Sequence, residues 1–145
     1  MKLVLALSTL LAAGAVFLIA ADAPGVTYVD KDKVAASLAK GGALVTQSDL
    51  TASGAHRNAA GQVEVHDKET DVLYIQEGEA TFVTGGKMVG GKMSKPGQWL
   101  GASIEGGETR HLSKGDVIVI PAGVPHWFKE VPASGVSYFV VKVLK

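Results

Sequence analysis

The chain has 145 residues, with 14 Lys+Arg against 14 Asp+Glu, four His, 18 Gly and no Cys. Balanced charge offers no bulk attraction to nucleic acid or an anionic membrane. The lack of Cys excludes disulfides, thiol catalysis and Cys-zinc sites, so a metal would need His, Asp, Glu or backbone oxygen.

The N-terminus reads MKLVLALSTLLAAGAVFLIAADAPG. Lys2 gives a short positive region, Leu3 to Ala20 is apolar apart from Ser8, Thr9 and Gly14, and Ala21-Asp22-Ala23 is a small-x-small ending. This is the pattern of a cleaved secretory signal over residues 1–23. The alternative is an uncleaved anchor, since the apolar run is near the lower limit for spanning a bilayer. Either reading exports the remaining chain, to a periplasmic or extracellular location. A membrane is a partner only if the segment stays attached. What remains is one domain's worth of sequence, long enough to bury a core unaided.

Residues 24–42 form a lead-in with one short helix, DKDKVAASLAK. Asp30 is placed to cap it, Val34 and Leu38 share a face, and Gly41-Gly42 ends it. From Ala43 onward, short β segments alternate with Gly, Pro and Asn/Asp punctuation. Expected strands are 43–47, 62–66, 72–76, 80–84, 98–104, 108–112, 116–120, 126–130 and 136–144. Such even spacing predicts an all-β sandwich or barrel over residues 43–145. The run 117–120 is apolar on both faces, as for an interior strand. Residues 85–97, GGKMVGGKMSKPG, read as a Gly-rich hairpin extension or loop; a mobile Lys-bearing flap is the sharper alternative.

EVHDKETD, residues 64–71, carries the densest cluster of chemistry. Glu64 and His66 are two apart on a strand and leave it on the same face. Asp71 follows a short turn and can fold back beside them. Far along lies GDVIVIPAGVPHWF, residues 115–128, where two turns frame an apolar strand and His126 opens the next. Pairing of these strands would bring His126 to Glu64, His66 and Asp71.

With these residues the chain resembles the cupin superfamily. Gly115, Pro121, Gly123 and His126 match the spacing of its second motif, with Glu130 in place of the closing Asn. In the first motif, counted back from Gly78, the Glu position holds Asp71, the second His position His66, and the first Glu64. The resemblance covers roughly residues 60–143 and is narrowest to small exported single-domain cupins. It implies a double-stranded β-helix, or jelly-roll, barrel with one short helix before it. It also implies a divalent metal, Mn, Fe, Ni or Zn, held by Glu64, His66, Asp71 and His126.

Asp71 is a methylene shorter than Glu, so it is either a ligand or a general base acting beside the metal. The structural alternative pairs Glu64 with Arg57 or Arg110, makes His66 a hydrogen-bonded barrel residue, and has Asp71 cap a turn. Arg57, His111 and Phe128 are the candidates for contact with a small organic ligand. His56 reads as a solvated loop residue. The C-terminal strand VSYFVVKVL is expected to pair across a homodimer and cover an exposed edge. Three functions remain open: a metal-dependent dioxygenase, isomerase or lyase; a non-catalytic binder of a small ligand or metal; and a metal-free structural barrel.

Overall fold

A computed structural model describes residues 25–145. The segment read as a signal or anchor, residues 1–23, lies outside these. Among the described residues no helix is long and apolar enough to cross a membrane.

The lead-in holds α1, Lys31–Lys40. Asp30 caps it, its Oδ1 accepting from the backbone N–H of Asp32 at 3.1 Å and of Lys33 at 3.0 Å. Gly41 takes φ 77° and donates its N–H to the Ser37 carbonyl, a stop that suits a residue without Cβ. The helix face that turns inward is Val34, Ser37 and Leu38. Ser37 Oγ accepts from Gly54 N–H at 2.8 Å and donates to Gly42 carbonyl at 2.6 Å, fastening the helix to the sheet.

The strands are β1 Gly42–Thr46, β2 Leu50–Arg57, β3 Val63–His66, β4 Glu69–Thr84, β5 Lys87–Val89, β6 Lys92–Lys95, β7 Gln98–Gly101, β8 Ser103–Glu105, β9 Glu108–Ser113, β10 Val117–Ile120, β11 His126–Glu130 and β12 Val136–Leu144. All pairings are antiparallel. One layer runs β1-β2-β12-β4-β10 and the other β9-β4-β11-β3-β7-β6, with β5 and β8 as a separate ribbon. This is the expected jelly-roll barrel.

β4 belongs to both layers. Its first part pairs with β12 and β10, and its last part with β9 and β11. The sequence reading split it into 72–76 and 80–84. The chain instead bends through Gly78 at φ 78°, opposite a register shift at Ser137/Tyr138. Leu73, Ile75, Ala80 and Phe82 of β4 reach the core from both sides of the bend, meeting Leu112, Ile120, Phe128, Val136 and Tyr138.

Three expectations change here, and one open alternative is resolved. Residues 50–57, left without a strand, form β2, so His56 stands on a strand with Nδ1 2.8 Å from Ser137 Oγ. β10 is not buried on both faces: Ile118 and Ile120 turn inward while Val117 and Val119 are exposed. β12 offers no edge to a dimer partner, because β2 and β4 hydrogen-bond it on either side along its length. Finally, the Gly-rich stretch 85–97 forms two short strands, β5 and β6, paired to β8 and β7. That is the hairpin extension rather than a free flap.

The bend gives a direct test. A Cβ on Gly78 would lie 2.0 Å from the Gly135 carbonyl oxygen, and the residue sits at positive φ. Gly78→Ala should therefore lower unfolding free energy by about 2–4 kcal/mol, measured by urea denaturation.

Candidate metal centre

Three cross-strand pairs build the site, each set by register. His126 lies opposite Glu64 on β11 and β3. His66 lies opposite Gln98 on β3 and β7. Asp71 lies opposite Lys142 on β4 and β12. Residues directly opposite on one face bring their side chains together, so the sheet pairing alone delivers all six. His66, Asp71 and His126 are buried, at 5%, 4% and 6% exposure.

The donor atoms fall into two triads that share His66. His66 Nε2 is 3.4 Å from Asp71 Oδ2 and 3.6 Å from Glu64 Oε2. His126 Nε2 is 3.8 Å from the same Asp71 oxygen. Glu64, His66 and His126 each place one donor within 4.8 Å of the others, as do His66, Glu69 and Asp71. Bond lengths of about 2.0–2.2 Å put neighbouring ligands of a tetrahedral ion about 3.4 Å apart. The spacing therefore fits a divalent ion.

Both imidazoles are preset for such a role. His66 Nδ1 bonds the Gln98 side-chain oxygen, and Gln98 is oriented by donating its Nε2 to Glu69 Oε2 at 2.9 Å. His126 Nδ1 is 3.1 Å from the Val124 carbonyl. An acceptor at each Nδ1 places a proton there, so the neutral form of each ring presents its Nε2 lone pair to the site, as a metal ligand must. Burial also holds the His126 pKa below its ordinary value, which keeps that ring neutral.

Lys142 was missed by the sequence reading and occupies the middle of this cluster. Its Nζ donates to Asp71 Oδ1 at 2.9 Å and Oδ2 at 2.8 Å, lies 2.9 Å from His66 Nε2, and is 3.3 Å from Glu69 Oε2. Contact that close between two nitrogens accommodates one proton between them, not two. Burial alone would raise the Asp71 pKa, but hydrogen bonds from His66 and Lys142 more than offset it and hold the carboxyl below 3.8. Both Asp71 oxygens are engaged by Lys142, which favours the ionised carboxylate over its protonated form. Asp71 does not cap a turn, since it lies within β4. Burial likewise lowers the His66 pKa, yet its bond with Asp71 and the charge of that carboxylate leave a net rise.

Of the candidates for ligand contact, Arg57 and Phe128 line a cavity of about 180 Å³ with Glu64, Asp71, Tyr138 and Lys142. The Arg57 guanidinium donates to Glu64 Oε1 at 3.1 Å and to Tyr138 Oη at 3.0 Å, and sits over the Phe128 ring at 5.0 Å. His111 is the exception. Leu112 takes the inward position on β9, so His111 turns out to solvent, where its Nε2 is 3.3 Å from Glu79. The expectation that it contacts a ligand in the pocket does not hold.

The strand sequence did carry a signal for Lys142. Val136, Tyr138, Val140 and Lys142 alternate, and Val136 and Tyr138 are buried. Period-2 alternation therefore points Lys142 inward. Gln98 and Glu69 had no comparable signal, since their roles depend on pairing and on the turn at 67–68.

Loss of Asp71 should destabilise the metal-free fold. In a chelator, Asp71→Asn should cost about 1–3 kcal/mol, because it takes the charged acceptor from the partly buried Lys142 ammonium. The ionised carboxylate is favoured by folding, so its contribution is full above pH 3.8 and is lost as pH falls through the lower folded value. The gap between wild type and variant in urea should close on acidification below that point.

Among curated protein sequences, none matches the chain. Solved structures do. The cupin domain of Cnp3 from Schizosaccharomyces pombe is 12% identical with a TM-score of 0.53, over 72% of this chain and 59% of that one. A protein from Bacillus halodurans is 15% identical with a TM-score of 0.53, over 71% of this chain and 68% of that one. This chain thus spans about three fifths of the fission-yeast domain. At these identities the likeness concerns the fold. The family model described as Cupin matches residues 19–144. With nearly the whole chain matched and the jelly-roll barrel in place, the chain belongs to the cupin family.

Proposed function

We propose that this chain is an exported cupin that holds one divalent ion, Mn, Fe, Ni or Zn, through His66, His126 and Glu64 with Asp71. It binds or acts on a small organic molecule in the cavity beside that ion. The observation that carries this reading is the fixing of both histidines at Nδ1, by Gln98 and by the Val124 carbonyl, so that both Nε2 atoms face one point. Structural histidines need no such shared aim. When bound, the ion would supply Lewis acidity to a carbonyl or similar oxygen. Arg57 and Phe128 form the wall a ligand would meet, with the guanidinium held in place by Glu64 and Tyr138.

A second reading, a metal-free barrel, is favoured by one observation. Lys142 already supplies a positive charge to Asp71, so the buried carboxylate is compensated without an ion. Elemental analysis of untagged protein separates the two. The metal reading expects about one equivalent of metal, lost in both His66→Ala and His126→Ala. Metal-free wild type that shows no thermal shift with any of the four ions would overturn it.

Export rests on the composition of residues 1–23 alone, and N-terminal sequencing of the protein from the native compartment tests it. A homodimer is supported by a different surface from the strand edge first expected. Tyr74, Val117, Val119 and Val143 are exposed on the outer face of the first layer. An apolar patch of this kind is commonly an interface. If copies meet there, Val119→Lys should convert a dimer to a monomer in light scattering while leaving the fold intact; an unchanged mass would exclude this face.

A further inference from the structure

Resting on the metal reading above, we propose that Lys142 is a tethered counter-ion. Its ammonium holds the site in the metal-free protein and must leave His66 Nε2 and Asp71 for a divalent ion to bind.

The overlap of partners is the basis. Lys142 Nζ takes both oxygens of Asp71 and lies 2.9 Å from His66 Nε2. Those are donor atoms that the ion would use. A Lys ammonium and a divalent ion cannot both use His66 Nε2, whose one lone pair takes one partner, and around Asp71 two cations would stand in close contact. Competition follows from the register of β12 on β4, which sets Lys142 opposite Asp71.

Local charge also favours exchange. Glu64, Glu69 and Asp71 face Arg57 and Lys142, three carboxylates against two fixed cations. The cluster therefore keeps an unmet negative charge with Lys142 in place. Lys142 also has a route out. Glu69 Oε2 lies 3.3 Å from the same ammonium and is about a quarter exposed, as is Lys142 itself. A small rotation of the flexible lysine chain exchanges Asp71 for Glu69 without stranding the charge in an apolar wall.

In that exchange Glu69 has a second task. It accepts from the Gln98 amide that orients His66. The residue that would receive Lys142 thus also keeps the imidazole aimed. This link gives the two states of the site one shared element outside the proposed ligand set.

The test compares wild type with Lys142→Met and Lys142→Gln. Binding of Zn(II) and Mn(II) is measured by calorimetry, and thermal midpoints are taken with chelator and with metal. Removal of the competing ammonium should tighten binding by about tenfold or more in Lys142→Met. Lys142→Gln, which retains an N–H donor for Asp71, should fold where Met does not and should shift affinity in the same direction. The thermal readout should split. The variants should melt lower than wild type in chelator and no lower with metal bound. A lysine with a purely structural role would lower both. Equal or weaker metal affinity in both variants would overturn the counter-ion role while leaving the metal reading intact. Absence of binding in wild type and variants alike would overturn the metal reading and this inference with it.

Discussion

The buried carboxylate of Asp71 is the constraint around which the barrel's polar end is arranged. It lies near the start of the longest strand, on the inward face, at a depth where an unpaired charge would be prohibitive. Only a cation or an array of donors can hold it there. β12 supplies Lys142 directly across the ladder, and His66 approaches from the facing layer. This pairing fixes more than one residue. It ties β12 to β4 at the polar end, while Val136 and Tyr138 tie the same strands at the apolar end. The strand is thus anchored by oil at one end and by charge at the other.

A polar cluster of this kind can be read as scaffold or as chemistry, and the distinction lies in the histidines. Burial pushes His126 toward the neutral ring, and an acceptor at Nδ1 selects the tautomer with a free Nε2. His66 is oriented through a chain that runs from Glu69 through Gln98. Both rings spend a hydrogen bond on orientation, which a ring serving only as filler would not require. Lys142 is then the residue that turns a potential ligand set into a closed ion pair when no metal is present. On the proposed metal reading, the site has two ways to satisfy the same carboxylate.

Much of this was legible in the sequence, and the exceptions have physical causes. Gly115, Pro121, Gly123 and His126 pointed to the barrel through their resemblance to the second cupin motif, in which Gly115 and Gly123 take the positive φ of tight turns. The E-x-H pair of β3 was visible by alternation. β2, LTASGAHR, was not, since its buried positions, Ala52 and Gly54, are small. Gly54 must be small because a Cβ there would lie 2.5 Å from the backbone of Ser37 in the packed helix. Its composition records contact with α1 rather than with the core. Likewise β4 was divided at Gly78, where glycine serves as a bend within a strand and not as its end. His111 was misplaced because parity on β9 is fixed by Leu112, whose partner Ala80 is known only from the pairing. Lys142 was hidden in a strand whose apolar character drew attention to its surface.

Crystals grown with Mn(II) or Zn(II), with diffraction collected at the metal edge, address the central claim most directly. The account predicts one anomalous peak at about 2.1 Å from both His66 Nε2 and His126 Nε2, with Lys142 Nζ moved off Asp71. Lys142 still bonded to Asp71, with no peak between the two imidazoles at saturating metal, would contradict it.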